Sequence, residues 1–245
     1  MQLEKSEFVK IKNSDTIVIY GCGYSINDLT KEEKIKLSKF DSIGFNFFCF
    51  SLIPTTYYVV REQSNTPKRQ SKEENESVFY DYINKHYKKS CLIIHDISTH
   101  SLSAINYSAP DKLNKFRCNY IIVNDIKLNG NYSGVDRWKN TCIMTDGVIH
   151  GKCTLNNACH IVVNLGYKNI IFVGVDLYDS RYFWLNSDET RFTLRDKKLT
   201  YQSEHPTSKN VLSMVSEIIR NYPEIKISVY DKKSLLSSVV PIWGK

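Results

Sequence analysis

The chain has 245 residues, which is long enough to bury one substantial hydrophobic core. Hydrophobic residues make up 42% of it and charged residues 24%, a composition that excludes an extended disordered chain. The formal net charge of +7 is compatible with an anionic partner, such as a nucleotide, an acidic glycan or an acidic membrane surface. A lysine-rich surface with no such partner accounts for the charge equally well.

Neither membrane spans nor disulfide bonds are expected. The sequence contains no apolar run long enough to cross a bilayer, and the charged segment MQLEKSEFVKIKN lacks the apolar core of a signal peptide. The seven cysteines are scattered without a CxxC pair, and several lie in or beside apolar segments. This pattern favours reduced, buried thiols over a disulfide framework or a zinc site, so we expect a cytoplasmic protein.

The first predicted unit is a strand, a glycine turn and a helix. Thr16–Tyr20 (TIVIY) reads as a buried strand, and Gly21–Ser25 (GCGYS) follows it directly. The two glycines would permit positive φ angles and let backbone N–H groups point at an anion. Thr30–Glu33 is a capping box, which starts a helix over about Lys31–Lys39. This order is typical of a nucleotide-binding α/β unit, although GCGYS lacks the third glycine of the dinucleotide fingerprint and there is no Walker lysine.

The next part of the chain continues the alternation of strands and helices. The second strand ends at Asn46, and a polar segment follows the third strand. His95–His100 lies beyond the fourth strand, and its two histidines and aspartate match no metal motif, so a solvated loop is expected there. Strands are predicted at Asp41–Phe45, Tyr57–Val60, Cys91–Ile94 and Tyr120–Val123, and a helix over about Glu73–His86.

Residues 124–150 show no clear periodicity, and so do residues 179–206. A stretch of that length inside a compact domain predicts a lid, an acceptor-binding insert or an irregular subdomain. We therefore expect one domain over residues 1–245, with an irregular insert at about 124–150 and a lid at about 179–206.

The central unit of the chain lies between these two segments. Apolar residues at helical spacing predict a helix over about Cys153–Asn164, which Gly166 ends. Asn169–Val173 (NIIFV) is a short apolar run typical of a strand buried on both faces of a parallel sheet. Asp176 and the tyrosines that follow it then enter a loop at the carboxyl end of that strand, where open α/β sheets bind ligands.

Two kinds of side chain near this unit suit catalysis. His205 precedes Pro206 at the mouth of an amphipathic helix predicted over about Ser208–Asn221, and a histidine pKa of about 6.5 suits a general base. Tyr178 and Tyr182 carry hydroxyls that can donate to a phosphate as charge develops on it. A loop histidine and two loop tyrosines without any role remain open as alternatives. A last strand is predicted at Lys226–Tyr230, and a short apolar tail at Leu235–Trp243 as an edge element or a membrane-surface contact.

The block GYKNIIFVGVDLYDSRYFW, followed by SEHPTSKN, resembles the bacterial sialyltransferases of glycosyltransferase family 42. That family shares a strand–GxGxS–helix opening, here GCGYS, and a second strand that ends in asparagine, here Asn46. It also shares a helix–LGYK–strand–G(I/V)D(F/L)Y block, here Leu165–Tyr178, and a histidine before Ser-Lys-Asn, here His205. The resemblance covers several short blocks between about residues 16 and 221.

The resemblance implies roles for individual residues. His205 would be the general base that deprotonates the acceptor hydroxyl, and Tyr178 and Tyr182 would hydrogen-bond the departing CMP phosphate. The family needs no metal for catalysis and inverts the anomeric centre. The donor would be bound by Gly21, Cys22, Gly23, Ser25, Asn46, Thr154 and Asp176.

This sequence departs from the family pattern at positions that bear on the donor. Cys22 stands where the family has asparagine, and the arginine and serine that precede the family's central helix have no clear counterpart. His150, Lys152 and Thr154 are the candidates for their place. The resemblance therefore implies that the donor is CMP-sialic acid or another CMP-linked 2-keto sugar acid, such as Kdo, pseudaminic or legionaminic acid.

The residue pattern predicts a single Rossmann-like α/β domain, a GT-A variant with a mostly parallel sheet. The resemblance implies that this domain transfers a sugar acid in surface-glycan synthesis without cofactor or metal. Its partners would be a CMP-sugar donor and a glycan or glycolipid acceptor, with no nucleic acid. A peripheral contact with the inner membrane and an oligomer are both compatible with the residues. A magnesium- and ATP-dependent pterin pyrophosphokinase, which shares the GxGxS opening and a GVDL block, is the first alternative, and a non-catalytic nucleotide- or glycan-binding module is the second.

Overall fold

The protein is built on one parallel β-sheet. The computed structural model describes residues 1–61, 72–97, 106–128, 133–151, 153–178, 182–184 and 206–244. Within them eight strands form a single sheet. The strands are β1 (Thr16–Tyr20), β2 (Asp41–Phe45), β3 (Tyr57–Val60), β4 (Cys91–Asp96), β5 (Asn119–Lys127), β6 (Val148–His150), β7 (Asn169–Val173) and β8 (Lys226–Val229).

Helices connect most of these strands. They are α1 (Lys5–Val9), α2 (Lys31–Leu37), α3 (Lys72–His86), α4 (Pro110–Leu113), α5 (Thr154–Asn164) and α6 (Pro206–Asn221). Short 3₁₀ helices cover Tyr24–Asp28, Asn46–Ser51, Val135–Asn140 and Leu235–Ser238.

The strand order places a reversal of the chain beside β1. Across the sheet the strands run β6-β5-β4-β3-β2-β1-β7-β8, and all neighbouring pairs are parallel. The chain therefore moves outward from β1 to β6, returns over the sheet through α5, and adds β7 on the other side of β1. In open parallel sheets, ligands bind beyond the carboxyl ends of the strands where the order reverses. The β1 and β7 turns mark that place.

Each face of the sheet is covered by a hydrophobic layer, because alternate residues of a strand point to opposite faces. Ile17 and Ile19 of β1 belong to a core cluster that contains the apolar sides of α5 and α6. Val18 and Tyr20 of the same strand belong to a second cluster, with Leu37 of α2 and the aromatic side of α3. β1 is thus buried on both faces, which explains its unbroken apolar sequence.

The predicted strands and the main helices are confirmed, several of them to the residue. β1, β2, β3 and β7 have the predicted bounds, and α5 and α6 differ from prediction by one or two residues. The tail also forms an edge element, since Ile242 pairs with Val229 of β8. The Rossmann-like parallel α/β class is therefore confirmed.

Two predictions about the middle of the chain were wrong. Residues 124–150 are not irregular throughout, because β5 continues to Lys127, a 3₁₀ helix covers Val135–Asn140, and β6 pairs with β5. His95 is not in a solvated loop, because β4 continues through it and buries its side chain completely. Polar residues inside these strands interrupt the apolar pattern that would have revealed them. Residues 98–100 lie outside the described residues.

All seven cysteines are free thiols and five are buried. No helix in the described parts of the chain is long and apolar enough to cross a membrane.

Candidate functional site

The β1 and β7 turns pack directly against each other. The backbone N–H of Gly21 donates to Val173 O and that of Gly23 donates to Gly174 O, both at 2.8 Å. A Cβ at Gly21 would overlap the backbone carbonyl of Gly174. Neither Gly21 nor Gly23 has a positive φ, so the expected positive φ angles were wrong, and both of these N–H groups are already paired with carbonyls of the β7 turn. The glycines serve close contact between the two turns.

The carboxylate of Asp176 fastens these turns together. Its side chain is only 3% exposed, and it accepts hydrogen bonds from the Ser25 backbone N–H, at 3.0 Å, and from the Ser25 hydroxyl. A Cβ at Gly23 would overlap this carboxylate. The Gly-Cys-Gly-Tyr-Ser turn and the GVDLY loop are therefore one unit. Their partnership across the reversal point explains why these residue types occur together.

Cys22 and Asn46 extend this unit toward the next strand. The Cys22 thiol lies 3.6 Å from Phe45 O at the end of β2, and its side chain is buried. Asn46 follows Phe45 with a φ of 53°, a left-handed conformation that asparagine tolerates better than most residues. Its carbonyl accepts a hydrogen bond of 2.7 Å from the Tyr58 hydroxyl. Both predicted donor-binding residues thus lie at the same edge of the sheet.

Tyr182 is brought to the glycine turn, as the predicted site requires. Gly23 and Tyr182 form an antiparallel bridge, and Phe183 N donates to Cys22 O at 3.3 Å. The Tyr182 ring stacks on Trp184 with 4.2 Å between centroids. The short segment 182–184 therefore lies against the β1 turn and presents a half-buried tyrosine there.

The remaining predicted residues are spread around this centre. Tyr178 is half-buried, and its hydroxyl lies 3.4 Å from an Asp231 carboxylate oxygen after β8, a long distance for such a bond. Thr154 is the first residue of α5 and is half-buried. His205 directly precedes α6 in the sequence and lies outside the described residues. Most of the predicted lid also lies outside them.

A buried polar network occupies the same edge farther along the sheet, and the sequence did not predict it. Asp125 of β5 accepts a hydrogen bond from Arg61 at 3.1 Å and lies 3.0 Å from His95 Nδ1. Burial alone would raise the pKa of Asp125, but the hydrogen bonds from His95 and Arg61 hold it well below its usual range. A carboxylate, a guanidinium and an imidazole are thus assembled at the ends of three adjacent strands.

Asn157 of α5 links this network to a second histidine. Its amide lies 3.3 Å from His95 Nδ1 on one side and 2.8 Å from His150 Nδ1 on the other. Burial lowers the pKa of His150, and the positive charge of Arg61 lowers it further. Burial also lowers the pKa of His95, although Asp125 opposes this. Clusters of this kind concentrate at functional sites. In the sequence, the signal that could have revealed this one is a polar residue directly after an apolar strand.

A third histidine, His160, lies below the network in the core. Its Nδ1 accepts the Ile149 backbone N–H at 3.0 Å, and its ring stacks on Trp138. Burial lowers the pKa of His160 to about 3. Since the unfolded histidine takes up a proton at about pH 6.5 and the folded one does not, the free energy of unfolding should fall as the pH drops below 6.5.

We therefore expect the free energy of unfolding to fall at acidic pH, and we expect one substitution to weaken this pH dependence. Below pH 6.5 each histidine that stays neutral in the folded protein lowers the free energy of unfolding by up to about 1.4 kcal/mol per pH unit. His160→Asn keeps an acceptor near the Nδ1 position but cannot titrate, so urea unfolding from pH 7.5 to 4.5 should show a shallower pH dependence. His86→Asn, at the end of α3, is the control. An unchanged slope in His160→Asn would contradict the assignment.

Two further features describe the surroundings of the site. A cavity of about 40 Å³, lined by Ser133, Asn156, Asn210 and Glu217 among others, lies between α5 and α6. It has room for a water molecule but not for a sugar ring. In the part of the chain that the structure describes, no group of three His, Cys, Asp or Glu side chains is arranged to hold a metal ion.

Comparisons with known proteins bear on the fold. The sialyltransferase CstII from Campylobacter jejuni, in complex with cytidine-5'-monophosphate, matches 93% of this chain and 84% of its own, with 15% identity and a TM-score of 0.51. The chain shares its fold with this sialyltransferase. A tyrosine-to-phenylalanine variant of CST-II in complex with CMP matches 93% and 85% of the two chains at 15% identity and a TM-score of 0.51. No protein-family model matches the sequence, and no curated protein matches it significantly.

The shared fold spans nearly the whole of this chain. An asparagine-to-alanine variant of CST-II, also in complex with CMP, covers 93% of this chain at 14% identity, with a TM-score of 0.51. Sequence blocks that resemble the family therefore lie on a fold that the family shares. At this identity the comparison concerns the fold, and the chemistry has to be argued from the residues.

Proposed function

We propose that this protein is an inverting glycosyltransferase that moves a sialic-acid-like 2-keto sugar acid from its CMP donor to a hydroxyl of a glycan. The main support for the proposal is that the residues that resemble the family lie close together, on a fold that solved sialyltransferases share. The Gly21–Ser25 turn, Asp176 and Tyr182 are distant in sequence and adjacent beside β1 and β7. Three solved structures of CstII, which has this fold, are CMP complexes.

In the proposed reaction the acceptor oxygen attacks the anomeric carbon as the bond from that carbon to the CMP phosphate breaks. His205 takes the proton of the acceptor hydroxyl, which makes the oxygen a better nucleophile. CMP leaves with the electron pair of the broken bond, and hydroxyls of Tyr178 and Tyr182 donate to its phosphate. A single displacement inverts the configuration. Asp176 has a structural role in the site, because both of its carboxylate oxygens accept hydrogen bonds from Ser25.

The nucleotide preference tests this proposal without requiring an acceptor. A ligand at one hundred times its Kd stabilises a folded protein by about 2.7 kcal/mol, which corresponds to roughly 5 to 10 °C in Tm for a chain of this size. We expect CMP and CTP to raise Tm in a thermal-shift measurement, and UDP, GDP and ATP to have little effect. A response to ATP with Mg²⁺ and none to CMP would instead support a pterin pyrophosphokinase.

The metal requirement is a separate expectation. If tyrosine hydroxyls stabilise the leaving phosphate, transfer from a CMP-sugar should continue in EDTA at a rate close to that of the untreated protein. The measurement is product formation from CMP-sialic acid, and from CMP-Kdo, with and without the chelator. Activity lost in EDTA and restored by Mg²⁺ would contradict the metal-independent mechanism.

The biological setting proposed here is the assembly of surface polysaccharide or lipooligosaccharide. A glycan or glycolipid acceptor fits a CMP-sugar transferase, and a net charge of +7 is compatible with peripheral contact with an acidic membrane surface.

The polar network of Arg61, His95 and Asp125 lies two to four strands from β1, about 10 to 19 Å away at ordinary strand spacing. That separation suits the sugar end of a nucleotide sugar.

A further inference from the structure

The loop after β7 is held through four consecutive backbone carbonyls. Gly174 O accepts from Gly23 N at 2.8 Å and Asp176 O from Leu235 N at 3.2 Å. Val175 O accepts from the Ser234 hydroxyl at 2.5 Å. The fourth carbonyl, Leu177 O, accepts from the Ser208 hydroxyl at 3.0 Å. The donors belong to three different parts of the chain, which are the β1 turn, the segment after β8, and α6.

Leu177 has an unusual backbone conformation that needs such support. Its φ is 62°, in the left-handed region, which is costly for a residue with a Cβ. Conformations of this kind persist where the surroundings determine them, and they cluster at functional sites. Because Tyr178 follows Leu177 directly, the left-handed turn sets the direction in which the Tyr178 side chain leaves the loop.

Ser208 connects this turn to the start of α6. It is fully buried and is the third residue of the helix, three positions after His205. Its hydroxyl donates to Leu177 O, across 31 positions of sequence. Other serines of α6 differ in this respect, since Ser216 donates to Leu212 O within the helix and is exposed.

We propose that Ser208 is a positioning residue that holds the loop carrying Tyr178 against the start of α6. This inference rests on the proposed function, in which the Tyr178 hydroxyl donates to the leaving phosphate. A transition-state donor works only from a fixed position, so the backbone that carries Tyr178 has to be held in place. The Ser208–Leu177 hydrogen bond is a direct link between α6 and that backbone.

A kinetic comparison on the full chain tests the role of Ser208. Ser208→Ala removes the hydroxyl without adding volume, and we expect kcat to fall about three- to tenfold, the worth of one hydrogen bond. The KM for the CMP-sugar donor and the Kd for CMP should change less than about twofold, because the link sets geometry rather than affinity. Ser216→Ala, on the same helix, should retain the kcat of the wild type.

A double-mutant cycle with Tyr178→Phe separates positioning from a general loss of structure. If Ser208 acts through the Tyr178 hydroxyl, Ser208→Ala should have little further effect on kcat once that hydroxyl is absent. Equal, additive effects in both backgrounds would overturn the inference. So would a Ser208→Ala protein with the kcat of the wild type.

The outcomes also distinguish failure of the inference from failure of the proposed function. Wild-type kcat in Tyr178→Phe alone would remove this tyrosine from the mechanism, and the inference about Ser208 would fall with it. A strong effect of Tyr178→Phe combined with no effect of Ser208→Ala would leave the proposed function intact and remove only the inference. A wild-type protein that binds CMP but transfers no sugar would contradict the transferase proposal itself.

Discussion

His205→Ala should lower the turnover of sugar transfer by roughly 10²- to 10⁴-fold, the usual worth of a general base. The acceptor hydroxyl is a poor nucleophile at neutral pH, and the anomeric carbon of a 2-keto sugar acid is crowded, so its proton has to be removed during attack. The rate of the wild type should fall on the acidic side of about pH 6–7 as the base becomes protonated. That acidic limb should vanish in the variant.

Binding and stability should remain close to those of the wild type in this variant. His205 precedes Pro206, the first residue of α6, and its proposed task concerns the acceptor and not the nucleotide. We therefore expect CMP to raise Tm by the same amount in both proteins. His86→Ala, at the end of α3, is the matched control and should transfer normally.

A folded His205→Ala protein with nearly normal transfer would require another base. His150 would then be the first to examine, because it is half-buried at the carboxyl edge of the sheet and its Nδ1 lies 2.8 Å from Asn157. Its pKa is lowered by burial, so a neutral imidazole would be present at neutral pH. His150→Gln would decide between the two histidines.

The strands could be predicted from sequence because a strand buried on both faces of a parallel sheet is apolar throughout. TIVIY and NIIFV contain almost no polar residue, and β1 and β7 have the predicted bounds. The same rule failed where polar residues continue a strand. His95 and Asp96 extend β4 because His95 pairs with Asp125, a partner that belongs to another strand and that spacing along the chain cannot reveal.

The candidate site was predicted in its location but not in its internal contacts. The position of Asp176 after β7 correctly placed it at the carboxyl edge, yet its carboxylate bonds to Ser25, which is 151 positions away. The glycines of the β1 turn were explained by backbone freedom, whereas the structure requires them for close approach to Gly174 and Asp176. Contacts of this kind depend on strand order, which local patterns do not determine.

The second large effect on turnover is expected for Tyr178 and Tyr182, whose hydroxyls are proposed to donate to the leaving phosphate. Tyr178→Phe and Tyr182→Phe each remove one hydroxyl and little volume, and the loss of one transition-state donor costs on the order of 10²-fold in turnover. The stacking of Tyr182 on Trp184 uses the ring and should survive the change, and the contact of the Tyr178 hydroxyl with Asp231 is a long one of 3.4 Å. CMP affinity should therefore fall much less than kcat.

A remote tyrosine supplies the control for this pair. Tyr222 directly follows α6, and its hydroxyl lies 3.4 Å from Val135 O, a distance equal to that of the Tyr178 contact. Tyr222→Phe should transfer at the rate of the wild type, because its hydroxyl is buried in the core. Wild-type turnover in Tyr178→Phe, Tyr182→Phe and the double variant would exclude both tyrosines from the mechanism. The charge on the leaving CMP would then need another donor, and Arg61 at the end of β3 would be the first to substitute.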